Sequence, residues 1–208
     1  MVMMDCPISK GEVMFDIKKA THAAAYRLWK RGGEMSSHKL MNLMYLAEKQ
    51  FLLQHGERLT GDAMVSMPKG PVLSGVCDCF MSGDEYWCSW VNNPGNYNLA
   101  LDDTIKINQE DPLDTFDELS LADQKTLDVV YAEFGSMNRW QLGRLLRDTV
   151  FCPEWEDPQG SSYPILPSAL LMKNGKTKAE VDAIMLKLAE EDDLLTVIQD
   201  AERQALRA

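Results

Sequence analysis

The side chains that carry most protein chemistry are scattered along this chain. Its three histidines, His22, His38 and His55, fall one per segment with no paired spacing. Cys77 and Cys79 are two apart, and Cys88 lies nine further on. On a helix, residues two apart point to different faces, so Cys77-x-Cys79 is a poor chelate. No C-x2-C pair occurs, and a structural zinc would need a mixed ligand set. No metal is expected. There is no G-x-S-x-G elbow and no familiar cysteine-nucleophile context. Glycine-rich phosphate loops are missing as well, and the Lys69-Gly70-Pro71 turn is too short to cradle a nucleotide. The carboxylates are many, and none stands out as an acid and base pair. These residues predict a protein that is not an enzyme and that needs no cofactor. A hydrolase using a cysteine or carboxylate is the chemical alternative.

Composition narrows the class. The chain has 208 residues, enough for one compact domain with a substantial core. Apolar residues make up 45% and charged residues 25%, the balance of a soluble globular protein rather than a disordered one. No apolar run is long enough to span a membrane, and the N-terminus does not read as a secretory signal. Five cysteines is an odd number, which fits buried, reduced thiols in a cytoplasm better than a disulfide framework. The formal charge of −11 is unevenly spread. Residues 1–60 carry nine basic and six acidic side chains, so residues 61–208 carry −14. Asp102 to Glu118 alone holds seven acids against Lys106. Such a surface repels phosphate backbones and suits a basic partner, or it merely keeps the protein soluble. Nucleic acid is therefore not an expected partner, and no recognition helix or basic stripe suggests an autorepressor.

The elements that position these residues follow from periodicity and punctuation. Residues 1–13 read as a flexible leader. A helix is predicted from Asp16 through Lys30, ended by Gly32-Gly33. The next, capped by Ser36 or Ser37, carries the stripe Leu40, Leu43, Met44, Ala47 and Phe51 and stops at Gly56. Ala63 to Met67 is a strand candidate. A turn at Lys69-Gly70-Pro71 leads into a short helix over Val72 to Phe80. Tyr86 to Val91 and Tyr97 to Leu101 read as a hairpin around an Asn/Pro/Gly loop. Helices are expected from Ser120 to Phe134 and from Asn138 to Thr149. Cys152 to Pro167 is a packed irregular loop. Thr177-x-x-Glu180 is a capping box opening a long C-terminal helix or helix pair. Six methionines, Met35, Met41, Met44, Met64, Met67 and Met81, gather near the helix–strand region. They suit an adaptable surface or core filling.

Several of these segments, in order, resemble the Panacea domain, the SocA-like antitoxin family. The similarity begins at Phe15-Asp16 with Lys19-Ala20. Lys39-Leu40-Met41-Asn42-Leu43-Met44-Tyr45-Leu46-Ala47 then resembles the family's K-L-x-K-L-x-Y-x-A helix. Val65 to Val72 is similar to its strand and G-P-V turn, and Cys77-Asp78 sits where its aromatic-Asp pair stands. Trp87 to Val91 with Tyr97 to Leu101 resembles its hairpin, and Leu127 to Phe134 with Trp140-Gln141-Leu142 its later helices. Pro153-Glu154-Trp155 resembles its P-E-W loop. Many relatives carry a Ser/Thr-His pair before that loop, where this chain has Thr149-Val150.

The resemblance implies an antitoxin that neutralises a cognate protein toxin, encoded by an adjacent gene, through direct protein contact. The alternative is a phage-associated adaptor or regulatory binding module without a toxin. The expected fold is mainly α with a small antiparallel sheet or hairpin, an α+β domain over residues 14–172. Residues 173–208 would form a helical extension that packs on or extends the domain, serves a homodimer, or is a partner-specific addition. Arg and Trp are common interface anchors. Arg58, Met67, Lys69, Trp87 and Trp90 are therefore the expected partner-binding residues. The same positions also suit a structural role, with Gly70-Pro71 setting the fold and the tryptophans in the core.

Overall fold

The computed structural model describes residues 15–205; the expected leader, residues 1–13, lies outside them. The fold is α+β, mainly helical, with two small antiparallel sheets.

Helix α1 spans Ile17–Arg31. Asp16 caps it, accepting from the Lys19 amide at 2.9 Å, and Gly32 ends it at φ 101°. Ala20, Ala23, Ala24 and Ala25 are all fully buried, and their small side chains let neighbouring backbones approach α1 closely. Helix α2, Ser37–His55, is the centre of the molecule and is buried on nearly every side. It packs against α5, α6 and strand β3. A helix enclosed this way needs partners for its buried polar groups; Glu48 and Lys39 have them, while the buried Asn42 side chain makes no hydrogen bond among the described residues. Glu48 meets three donors, the amides of Leu59 and Thr60 at 2.9 Å each and the Thr60 hydroxyl at 2.7 Å. Lys39 donates to the Gly135 carbonyl at 2.6 Å.

One sheet has the order β1-β5-β4, built from β1 Glu34–Ser36, β4 Val91–Gly95 and β5 Asn98–Leu101. The other has the order β3-β2-β6, from β2 Met64–Met67, β3 Gly70–Leu73 and β6 Tyr163–Pro164. Helices α3 Ser74–Ser82 and α4 Glu85–Cys88 join the two sheets. Helices α5 Leu121–Phe134 and α6 Arg139–Leu145 follow, both opened by capping boxes. Helix α7, Pro167–Lys173, leads to α8, Lys178–Ala205.

Four local expectations change. The turn falls at Pro68-Lys69, and Gly70 to Leu73 is a strand, so the helix expected from Val72 begins at Ser74 instead. Pro71 is tolerated because β3 is an edge strand. The stretch expected as a strand from Tyr86 is the short helix α4. The Asp84 side chain caps it by accepting from the Trp87 amide at 3.1 Å. Strand β4 instead runs through Asn92 to Gly95, and the hairpin turns at Asn96-Tyr97, both at positive φ. Helix α6 ends at Leu145 rather than Thr149. Of the clustered methionines, Met35, Met41, Met44 and Met64 are core, while Met81 is exposed.

Candidate partner-binding surface

Arg58, in the loop after α2, grips the far helix. Its guanidinium meets both Asp192 oxygens, at 2.5 and 3.1 Å. Lys187 pairs with Glu57 beside it at 2.5 Å. These contacts pin α8 to the end of α2, and Ile184 packs against Gly56 there. Arg58 thus fastens an element of its own chain.

Met67 and Lys69 flank the β2–β3 turn. The Met67 carbonyl accepts from Trp155 Nε1 at 3.1 Å, and its side chain is half-buried. The Lys69 side chain is exposed. Gly70, at φ 119°, lies against Leu146, and Gly143 sits under the Lys69 carbonyl beside the His38 ring. Burial holds His38 below its ordinary pKa. The turn is therefore seated on α6 by its backbone, with only Lys69 presented outward.

Trp87 is 1% exposed and belongs to the core, so it is not part of a surface. Trp90 is half-buried, with its ring 4.2 Å from His22 and 6.0 Å from Phe116. His22 also meets the Tyr86 hydroxyl at 3.1 Å. This aromatic cluster anchors the acidic segment. Phe116 is fully buried at its centre, while Asp103, Glu110, Asp111, Asp114 and Asp117 remain exposed around it. Burial lowers the His22 pKa even though Asp117 lies 3.6 Å away. A neutral imidazole leaves the Asp117 charge uncompensated at neutral pH. The segment is a fixed negative patch on an apolar root.

A second cluster was not expected as a unit. Tyr45 Oη donates to Glu154 Oε1 at 2.6 Å, Cys152 Sγ donates to the same oxygen at 3.1 Å, and Lys49 Nζ lies 2.7 Å from it. Asn174 Nδ2 donates to Oε2 at 2.9 Å. Burial would raise the Glu154 pKa, but hydrogen bonds from Lys49, Tyr45 and Asn174 outweigh it and hold the carboxylate low. The neighbouring thiol is driven the other way, burial and Glu154 pushing Cys152 up to about 12. Burial likewise pushes Cys77 to about 12 and Cys79 to about 11. Thiols held so high are poor nucleophiles at neutral pH. The cluster ties α2 to the Cys152–Trp155 loop and to the end of α7. The one sequence signal was the i, i+4 spacing that puts Tyr45 and Lys49 on one face of α2.

Among the described residues, no group of three or more His, Cys, Asp or Glu side chains is arranged to hold a metal ion. None of their helices is long and apolar enough to cross a membrane.

The family model of the antitoxin SocA-like Panacea domain matches residues 40–155, more than half of the chain. The chain belongs to this family. No curated protein and no solved structure matches it. The matched Panacea stretch runs from α2 to the P-E-W loop, and the Tyr45–Lys49–Glu154 cluster joins its two ends. Arg58, Met67, Lys69, Trp87 and Trp90 all fall inside it. Helices α1, α7 and α8 flank it. Val150, at the position where many relatives are expected to carry histidine, is 90% exposed.

Proposed function

We propose that this protein is an antitoxin that binds a cognate protein toxin directly and blocks it, and that it does so without catalysing a reaction. The observation that carries this reading is the Panacea domain itself, an antitoxin family, over residues 40–155. Two features of the geometry support it. The exposed acids of residues 102–118 are rooted on the buried Phe116, a negative surface suited to a basic protein partner. The thiols of Cys77, Cys79 and Cys152 are all raised by burial, which favours a structural role over a nucleophilic one. In this reading the toxin is encoded by the adjacent gene, the pair meets in the cytoplasm, and nucleic acid is not a ligand. Trp90, Met67 and Lys69 remain candidate contacts.

The test is growth rescue. The neighbouring reading frame is induced alone and then together with this protein. Arrest relieved by co-expression, with the two proteins co-eluting on a sizing column, is the expected result. A neighbour that is harmless and forms no complex would overturn the reading.

A further inference from the structure

Helix α8 is apolar on two opposite faces, and the domain uses only one. Val181, Ile184 and Leu188, at i, i+3 and i+7, turn toward the domain, with Val181 and Leu188 buried. Asp192 continues that face and is held by Arg58. On the opposite side, Leu186, Leu194 and Val197 are 63%, 61% and 65% exposed. Their spacing, i, i+8 and i+11, places them on one stripe, and exposed Ala201 extends it at i+15. Ile198 borders the stripe at 44% exposure.

The same face carries acids between the apolar residues. Asp182, Glu190 and Asp193 are exposed and form no ion pair among the described residues, whereas Glu180, Asp192 and Lys187 have partners within the chain. An outward helix face of alternating leucine and carboxylate is unsuited to solvent alone. It is equally unsuited to a second copy, which would set carboxylates against carboxylates. Its complement is a helix that offers apolar residues and lysines or arginines at matching positions.

We propose that the outward face of α8, built on Leu186, Leu194 and Val197 with Glu190 and Asp193, docks a basic amphipathic helix of the protein partner. Identifying that partner as the toxin rests on the function proposed above; the docking chemistry does not. The face lies outside the matched Panacea stretch, so it supplies contacts particular to this chain's own partner.

A dye-labelled amphipathic Leu/Lys peptide is titrated against the full chain by fluorescence anisotropy. Leu194→Ser/Val197→Ser removes the apolar contacts, and Glu190→Gln/Asp193→Asn removes the charges. Each pair of changes is expected to weaken binding by at least about fivefold. Leu121→Ser, an exposed leucine on α5, is expected to change nothing. The charge pair is also expected to flatten the salt dependence. Circular dichroism checks that α8 persists, and either variant alone keeps the test decisive. Peptide binding that is absent, or that ignores both variants, overturns the proposal. So does a dimeric wild type that Leu194→Ser/Val197→Ser converts to monomer, because the face would then be a self-interface. Growth rescue that survives both variants leaves the antitoxin reading standing and overturns the toxin as the occupant of this face; rescue absent in the wild type removes the antitoxin reading alone.

Discussion

Four donors surround the two oxygens of Glu154, a side chain that is 4% exposed. Removing one member of a buried ion pair leaves the other charge uncompensated, which is costlier than never having built the pair. Glu154→Ala strands Lys49 and is expected to lower stability by about 3–5 kcal/mol, read as a fall in the urea midpoint. Glu48 behaves in the opposite sense. Burial, opposed by hydrogen bonds from Thr60 and Leu59, raises its pKa from 4.5 to about 7. Asp62 follows, raised by burial to about 6. A raised folded-state pKa means that the native state holds the proton more tightly than the unfolded state. Stability from these groups is fully present below pH 4.5 for Glu48 and is lost as pH rises toward 7. These two groups together are expected to make the unfolding free energy higher at pH 5.5 than at pH 7.5 by roughly 2 kcal/mol, while His22 and His38, held below 6.5 by burial, pull the other way over the same window. Glu48→Gln should remove most of that slope, and a slope unchanged by Glu48→Gln would assign it elsewhere.

At the scale of elements, local chemistry predicted the ends of helices well. Gly32 and Gly56 both stop helices in the left-handed region, and Ser120 and Thr177 open them with capping boxes visible in four residues. What local chemistry did not show was where burial overrides propensity. Tyr86 to Val91 is rich in strand formers, yet Trp87 must reach the core, and a turn of helix starting at Asp84 delivers it. Asn92 to Gly95 reads as a loop but is drawn into an edge strand by pairing with β5. The candidate surface was less legible for the same reason. Arg58 looks like an interface anchor until Asp192, 134 residues away, is seen to hold it. The acidic patch of residues 102–118 was plain in the composition, whereas its root at Phe116 was not. Gly56 offers a test of how α8 is held. Its φ is +64°, and an added Cβ would lie 3.1 Å from Ile184 Cγ1. Gly56→Ala is expected to cost about 1–2 kcal/mol from backbone strain. It should also speed proteolysis within α8, because Ile184 must give way.

On the scale of the whole molecule, the central fact is asymmetry of charge on a rigid core. The Panacea stretch supplies the core and its negative patch, and α8 adds a second acidic face with leucines set into it. In the proposed reading, both surfaces suit a basic partner. Electrostatic recognition of that kind weakens as salt screens it, mainly through slower association. The affinity for the toxin is accordingly expected to fall steeply with added salt, and a salt-independent affinity would argue for an apolar interface instead.

The most direct measurement is titration of the purified toxin's activity with this purified protein, with no other cellular component present. Activity that falls linearly to zero at a fixed stoichiometric ratio, and that Leu194→Ser/Val197→Ser restores in part, is the expected result. Toxin activity that stays intact in vitro while growth is still rescued in cells would contradict neutralisation by direct contact.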